Sequence, residues 1–336
     1  MSIVMTGGGT GGHLAIIKAV KEQLLDEELI YIGSTKGQDR AWFGEDEQFK
    51  SSHFLPTQGV VNQGLLGKIK SIALLLKATI KSRKILKDAN AKVVFCVGGF
   101  SAAPTSFAAK MLGIPLVIHE QNGAIGSLNR LLRPYAKAFI SSYEENSPIK
   151  AYPIKEEYFK KSRIREEVKT IIFLGGSQGA VAINKLAFFL APTLKEKNIK
   201  IIHQAGERNI EEVKSQYKAL DIEAEVFGFT TSLSDYMQEA DFAIARSGAS
   251  TLWELSAMAC PALYIPYPYA AGDHQFYNAQ FLVDQRVAWV MREKELNIQK
   301  VISILEENMK EKSLKLQEMI EKNGALQIAE LLKNLH

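Results

Sequence analysis

A short apolar run that ends in a cluster of glycines opens the chain, Ile3-Val4-Met5-Thr6-Gly7-Gly8-Gly9-Thr10-Gly11-Gly12. The same arrangement returns in its second half as Ile171-Ile172-Phe173-Leu174-Gly175-Gly176-Ser177-Gln178-Gly179. A buried strand that turns on glycine into a helix is the first unit of a parallel α/β sheet, because only glycine lets strand end and helix start lie so close. Two such starts predict two Rossmann-like lobes. The length agrees, since 336 residues exceed what one hydrophobic core serves and point to about two domains.

Alternating short apolar and longer amphipathic runs predict strands at Ile3–Thr6, Leu29–Gly33, Val93–Val97, Leu116–His119, Ala138–Ser141, Thr170–Leu174, Ile199–Gln204, Glu225–Phe227, Phe242–Ala245 and Ala262–Ile265. The stretch Ile149–Arg165 has neither periodicity and is rich in charge, so it reads as the connection between lobes; from Lys294 onward the pattern is helical. Cys96 and Cys260 lie in apolar surroundings without metal-ligand spacing, which predicts buried, reduced thiols of a cytosolic protein. No charged n-region with an apolar core opens the chain, and no apolar run is long enough to span a bilayer, so neither a secretory signal nor a membrane span is expected.

Glycine turns at strand ends present backbone N–H groups and a helix N-terminus to an anion, and phosphate is the natural guest. Gly7, Gly9 and Gly12 satisfy GxGxxG, yet the second strand ends Tyr31-Ile32-Gly33-Ser34 without the acid that grips a dinucleotide ribose, which argues against an oxidoreductase. A P-loop is excluded because His13 follows Gly12 where Lys is required. Further turns of this kind are Gly98-Gly99-Phe100-Ser101 and Ser247-Gly248-Ala249. Each alone is explained by close helix packing; four together favour a ligand. Ser247-Gly248 opens a helix suited to an α- or β-phosphate, and Glu254, two turns in, offers an acceptor pair for a sugar diol. The alternative is a solvated Glu on an amphipathic helix, but Trp253–Ala259 is mostly apolar, so this carboxylate must find partners.

The set Gly8-Gly9-Thr10-Gly11-Gly12-His13, Gly98-Gly99-Phe100-Ser101, His119-Glu120-Gln121-Asn122, Gly175-Gly176-Ser177-Gln178-Gly179-Ala180, Arg246-Ser247-Gly248-Ala249 and Gln275 with Asn278-Ala279 resembles, in order and over nearly the whole chain, the MurG family of peptidoglycan glycosyltransferases. The resemblance implies a GT-B fold, two Rossmann-like domains with an interdomain cleft. It implies residues 1–155 plus 325–336 as the acceptor and membrane-associating domain and 156–324 as the donor domain. Its implied substrates are UDP-N-acetylglucosamine and undecaprenyl-diphosphate-linked N-acetylmuramoyl-pentapeptide, handled at the cytoplasmic face of the membrane by a peripheral enzyme. By the same resemblance Thr10, Gly11, Gly12, Asn122, Ser177, Ala249, Ser250, Thr251, Leu252, Trp253, Glu254 and Gln275 fall at donor contacts, with Ser177 at the diphosphate, Glu254 at the ribose, and Gln275 with Ala249 at the sugar. Lys155 stands where the family has a phosphate-facing Arg, a point charge in place of a bidentate fork, and Thr230 stands at the uracil-facing position.

The implied reaction displaces UDP from the anomeric carbon with inversion and needs a base on the acceptor; His13 is the first candidate and Glu120 the second. The sequence has no Asp-x-Asp, so no metal and no cofactor is expected. Two competing readings are a UDP-N-acetylglucosamine epimerase and a non-catalytic nucleotide-sugar regulator. Both leave residues 62–87 unexplained. Lys68, Lys70, Lys77, Lys81, Arg83, Lys84 and Lys87 give that stretch +7 without an acid, against a net +4 for the whole chain. On helical spacing Leu65, Ile69, Ile72, Leu76 and Ile80 form an apolar stripe flanked by the basic residues, which fits an anionic membrane surface and no nucleic acid; the competing reading is a core-packed helix.

Overall fold

The computed structural model describes residues 2–58, 65–176 and 179–335, with backbone alone at 65, 66, 68 and 69. The chain divides into two compact units, Met1–Ile154 with Asn323–His336, and Lys155–Lys322.

The first unit alternates β1 (Ser2–Thr6), α1 (Gly11–Lys21), β2 (Glu28–Ser34), α2 (Asp39–Phe43), β3 (Phe49–Leu55), α3 (Leu65–Asp88), β4 (Ala91–Cys96), α4 (Ala103–Leu112), β5 (Leu116–Glu120), α5 (Ser127–Leu132) and β6 (Ala138–Ser141). The second runs α6 (Glu156–Lys160), β7 (Thr170–Leu174), α7 (Val181–Glu196), β8 (Lys200–Gln204), α8 (Ile210–Ala219), β9 (Glu225–Phe227), α9 (Leu233–Glu239), β10 (Phe242–Ala245), α10 (Ala249–Ala257), β11 (Ala262–Tyr264), α11 (His274–Asp284), β12 (Trp289–Val290), α12 (Ile298–Leu305) and α13 (Lys310–Met319). A last helix, α14 (Gly324–Lys333), belongs to the first unit and packs on α1.

Each unit holds one six-stranded parallel sheet, ordered β3-β2-β1-β4-β5-β6 and β12-β11-β10-β7-β8-β9. Numbered by appearance within its own unit, each runs third, second, first, fourth, fifth, sixth. The order reverses direction between β1 and β4 and again between β7 and β10, and ligands of open α/β sheets bind at such reversals. The four glycine turns of the sequence follow these four strands.

The sheets form because their strands are apolar on both faces, as parallel strands covered by helices must be. In the first unit Val4, Ile30, Ile32, Val94 and Ile118 pack with Leu86 of α3 and Ala108 and Ala109 of α4. In the second, Ile171, Phe173, Ile201, Ile244 and Leu263 pack against Ile183, Leu186, Leu190 and Leu194 of α7, a helical stripe, and Val301 and Ile304 of α12. Arg165 is also in the interior, where its guanidinium donates to the carbonyls of Ala240 (2.8 Å), Met237 (3.1 Å) and Met258 and so tethers the chain before β7 to the ends of α9 and α10. Cys96 and Cys260 are free and buried, and burial pushes both thiols up.

Two strands escaped the sequence pattern. β3 places Lys50, Ser51, Ser52 and His53 at a sheet edge, only partly covered, and β12 is two residues long. Within the stretch read as an irregular connection, Glu156–Lys160 is helical. Helix α3 buries small side chains, Ser71 (1% exposed), Ala78 (2%) and Ser82 (0%), and packs on α4. Of its apolar stripe, Ile72 (48%), Leu76 (61%) and Ile80 (71%) are exposed, while Ala78 and Leu86 on another face of α3 join the core. Residues 62–64 of the basic stretch lie outside the described residues. Among the described residues no helix is long and apolar enough to cross a membrane.

Candidate active site

In the first unit the two glycine turns touch. A Cβ on Gly99 (φ +81°) would lie 2.7 Å from the Gly8 carbonyl, which is why glycine occupies both sides of the reversal. What holds the first turn has no local sequence signal. Asp39, fully buried on α2, accepts the Gly9 N–H (2.8 Å) on one oxygen and the Tyr31 hydroxyl (2.8 Å) and Ser34 N–H (3.3 Å) on the other. Tyr31 is also 2.8 Å from the Gly7 carbonyl and shares its proton between the two acceptors. Burial first, then the Asp39 charge, holds that phenol far above its ordinary range.

Thr10 ends the turn, exposed, and Gly11, Gly12 and His13 open α1. His13 is half-buried and held at both nitrogens. Thr10 Oγ1 lies 2.8 Å from Nδ1, and the Gln121 amide nitrogen lies 3.0 Å from Nε2. With the Gln121 amide in this orientation, its NH2 donates to the Nε2 lone pair and Nδ1–H donates to Thr10; the flipped amide would reverse the tautomer. The Nδ1–H tautomer presents a basic nitrogen in a fixed direction. Glu120, 2% exposed, is saturated instead: it accepts the backbone N–H of Asn122 (3.0 Å) and Gly126 (2.9 Å) and the side-chain amides of Asn122 (3.5 Å) and Asn129 (2.9 Å). It organises the loop that carries Gln121 and Asn122. His119 is fully buried beside Tyr152, and burial, helped by nearby His13, pushes it down to about 3, so it stays neutral.

In the second unit a cavity of about 1140 Å³ opens at the β7/β10 reversal, lined among others by Gly175, Gly176, Gly179, Gly248, Thr251 and Gln275. Arg246 holds one wall, donating to the carbonyls of Ile265 (2.9 Å) and Pro266 (3.1 Å) and pairing with Glu293 (2.6 Å). Gln275 accepts the Tyr267 N–H (2.9 Å), and buried Asn278 donates to the Ser247 carbonyl (3.0 Å). Gly248 caps α10 in extended backbone, leaving the first N–H groups of that helix to the cavity side. The Ser247 and Ser250 hydroxyls, both buried, have no partner among the described residues.

The cavity gathers Thr251 and Gln275 from the predicted residues, with Ala249 and Ser250 on the same helix end. Leu252 and Trp253 turn into the core, 0% and 4% exposed, so only their backbone remains for a ligand. Thr230 precedes α9, where its hydroxyl accepts the Ser232 N–H (3.0 Å), and is not part of the cavity lining. Ser177 lies outside the described residues. Lys155 caps α6 and pairs with Glu157 at 3.6 Å. Glu254 sits past the cavity, partly exposed but closely surrounded by protein. Burial pushes it up to about 7, against the opposing pull of the Tyr158 hydroxyl and Lys155, while Glu157 adds to the rise.

Two glycosyltransferase family 28 models match, the N-terminal domain over residues 3–141 and the C-terminal domain over 170–335. A UDP-N-acetylglucosamine–N-acetylmuramyl-(pentapeptide) pyrophosphoryl-undecaprenol N-acetylglucosamine transferase of Sulfurovum sp. is 67% identical over 99% of both chains. The chain belongs to the MurG family of glycosyltransferases. A Wolinella succinogenes relative with the same name is 50% identical, again over 99% of both chains. The crystal structure of Acinetobacter baumannii MurG covers 99% of each chain at 26% identity with a TM-score of 0.81, in keeping with the paired parallel sheets of a GT-B glycosyltransferase.

Proposed function

We propose that the protein transfers N-acetylglucosamine from UDP-N-acetylglucosamine to the 4-hydroxyl of undecaprenyl-diphosphate-linked N-acetylmuramoyl-pentapeptide, with inversion, converting lipid I to lipid II in peptidoglycan synthesis. The observation that carries this reading is the cavity at the β7/β10 reversal, where the glycine turns and Gln275 converge in a chain whose full-length relatives are named for this transfer.

The second unit holds the donor. The diphosphate lies against the Gly175–Gly176 turn and the N-terminus of α10, with Ser177 and Lys155 as further donors of charge or hydrogen bonds. Glu254 accepts the ribose hydroxyls, Thr230 meets the uracil through its backbone, and Gln275 and Ala249 read the sugar. The first unit supplies the base. His13 Nε2 takes the proton of the muramoyl 4-hydroxyl as that oxygen bonds the anomeric carbon and the bond to the diphosphate breaks, releasing UDP. Thr10 holds the required tautomer on Nδ1, and the Gln121 amide yields Nε2 to the acceptor. The hydrogen bonds that engage both Glu120 oxygens and hold the loop support His13 over Glu120 as the base.

Helix α3 brings the enzyme to its acceptor. Exposed Ile72, Leu76 and Ile80 beside Lys77, Lys81 and Lys84 support insertion of an apolar stripe among anionic headgroups at the cytoplasmic face. The base assignment is tested by turnover on the lipid-linked acceptor. His13→Ala lowers kcat by about 10²-fold or more with little change in donor KM; turnover within threefold of the parent removes His13 from that role.

A further inference from the structure

Strands β10, β11 and β12 are neighbours in the second sheet, and Arg246, Tyr267 and Glu293, which follow them, all line the cavity. Parallel register sets this neighbourhood. Leu263 and Tyr264 pair with Trp289 and Val290, and the Met291 N–H continues the ladder to the Tyr264 carbonyl (3.0 Å), so Arg292 and Glu293 emerge beside Pro266 and Tyr267. Each of these two charged residues grips a different side of Gln275. The Arg292 guanidinium forks onto both oxygens of Asp273 (3.2 and 2.6 Å), two residues before Gln275, and lies 4.0 Å over the ring of Phe276, one residue after it. Glu293 pairs with Arg246 (2.6 Å), whose guanidinium donates to the Ile265 and Pro266 carbonyls (2.9 and 3.1 Å); the next N–H, that of Tyr267, donates to Gln275 Oε1 (2.9 Å).

We infer that Arg292 and Glu293 are positioning residues for the donor sugar: they clasp Gln275 through the start of its helix and through its amide oxygen, and so fix what it presents to the sugar. The inference rests on the proposed sugar-reading role of Gln275. A backbone N–H can only donate, so the side-chain atom that meets Tyr267 is the amide oxygen, and the NH2 is what remains for the cavity. Gln275 therefore meets a sugar as a donor to hydroxyl oxygens. A free glutamine would sample several rotamers and both amide orientations and would lose that freedom on binding; here the freedom is already lost on folding. The clasp also secures the turn that delivers α11. Gly272 and Asp273 both take left-handed backbone (φ +62° and +54°), and Asp273, which is not glycine, is kept there with its carboxylate locked in the Arg292 fork.

Arg292 is not among the described lining residues of the cavity, and it and Asp273 are each about one-third exposed, so Arg292→Ala removes the fork without opening a hole in the core. The experiment compares affinity for UDP-N-acetylglucosamine with affinity for UDP, by calorimetry on the full chain. The proteins are the parent, Arg292→Ala, Glu293→Ala, Gln275→Ala, and each clasp variant combined with Gln275→Ala. UDP has no sugar for Gln275 to read and reports on the rest of the cavity. Each clasp variant should lower the affinity for UDP-N-acetylglucosamine by about three- to tenfold, the worth of one oriented hydrogen bond, with UDP affinity within about twofold of the parent. Neither should deepen the loss in Gln275→Ala, because residues that act through one another are not additive. That pattern supports the inference. Equal falls for UDP and the sugar nucleotide, a further fall in the Gln275→Ala background, or a clasp variant that binds the sugar nucleotide as the parent does while Gln275→Ala does not, each overturns the positioning role and leaves Gln275 as the sugar reader. A Gln275→Ala protein that binds UDP-N-acetylglucosamine as tightly as the parent overturns the sugar-reading role and the inference with it.

Discussion

Replacement of Asp39 by Ala tests how the first glycine turn is held. The change leaves the part-buried Gly9 N–H and the buried Ser34 N–H without their acceptor, while Tyr31 retains the Gly7 carbonyl at 2.8 Å. Each orphaned buried donor costs about 1–3 kcal/mol, so the sum is about 2–6 kcal/mol, toward the lower end where a water enters the space left by the carboxyl group. At about 2–4 °C per kcal/mol for a unit of this size, a loss of about 3 kcal/mol lowers the melting temperature by about 6–12 °C. Asp39→Asn is milder. Its amide can turn its oxygen toward Gly9 and its NH2 toward Tyr31, giving up only the 3.3 Å bond from Ser34. The order parent, Asn, Ala in melting temperature, read by scanning calorimetry, should be matched by the same order in kcat, because Thr10 and His13 follow directly on the turn. An Asp39→Ala protein that melts within 2 °C of the parent and turns over normally would refute the claim that this carboxyl group sets the loop.

Reversal of charge at Lys77, Lys81 and Lys84 should weaken sedimentation with anionic vesicles by more than tenfold, at about 1 kcal/mol for each basic residue near the surface, with solution stability little changed because all three are exposed; equal binding would sink the membrane role of α3. Transfer should persist in EDTA, since the leaving diphosphate is met by helix N-termini and basic side chains; loss restored only by Mg²⁺ or Mn²⁺ would contradict this.

The glycine turns were legible in the sequence because backbone geometry demands them: Gly7, Gly8 and Gly9 all adopt positive φ, and no other residue does so cheaply. The doubled sheet followed, since strands buried on both faces read as unbroken apolar runs. Of the edge strands, β6 and β9 were legible and β3 and β12 were not: β3 carries four consecutive polar residues, Lys50 to His53, at a half-covered border and its pattern matches a loop, and β12 is two residues long. The partners of the site were hidden for a different reason. Asp39 meets Gly9 from thirty residues away; such a pairing depends on the fold and leaves no local pattern. The sequence did indicate that Glu254, in an apolar helix, required a partner. The four hydrogen bonds that Glu120 accepts were likewise invisible in its motif.

Glycosyl transfer is read out by following UDP-N-acetylglucosamine by NMR with and without the lipid-linked muramoyl acceptor. The donor should be consumed only when the acceptor is present, with release of UDP and a new β-linked anomeric signal. Conversion of the donor to an epimeric UDP-sugar without acceptor, or binding with no consumption in either case, would contradict it.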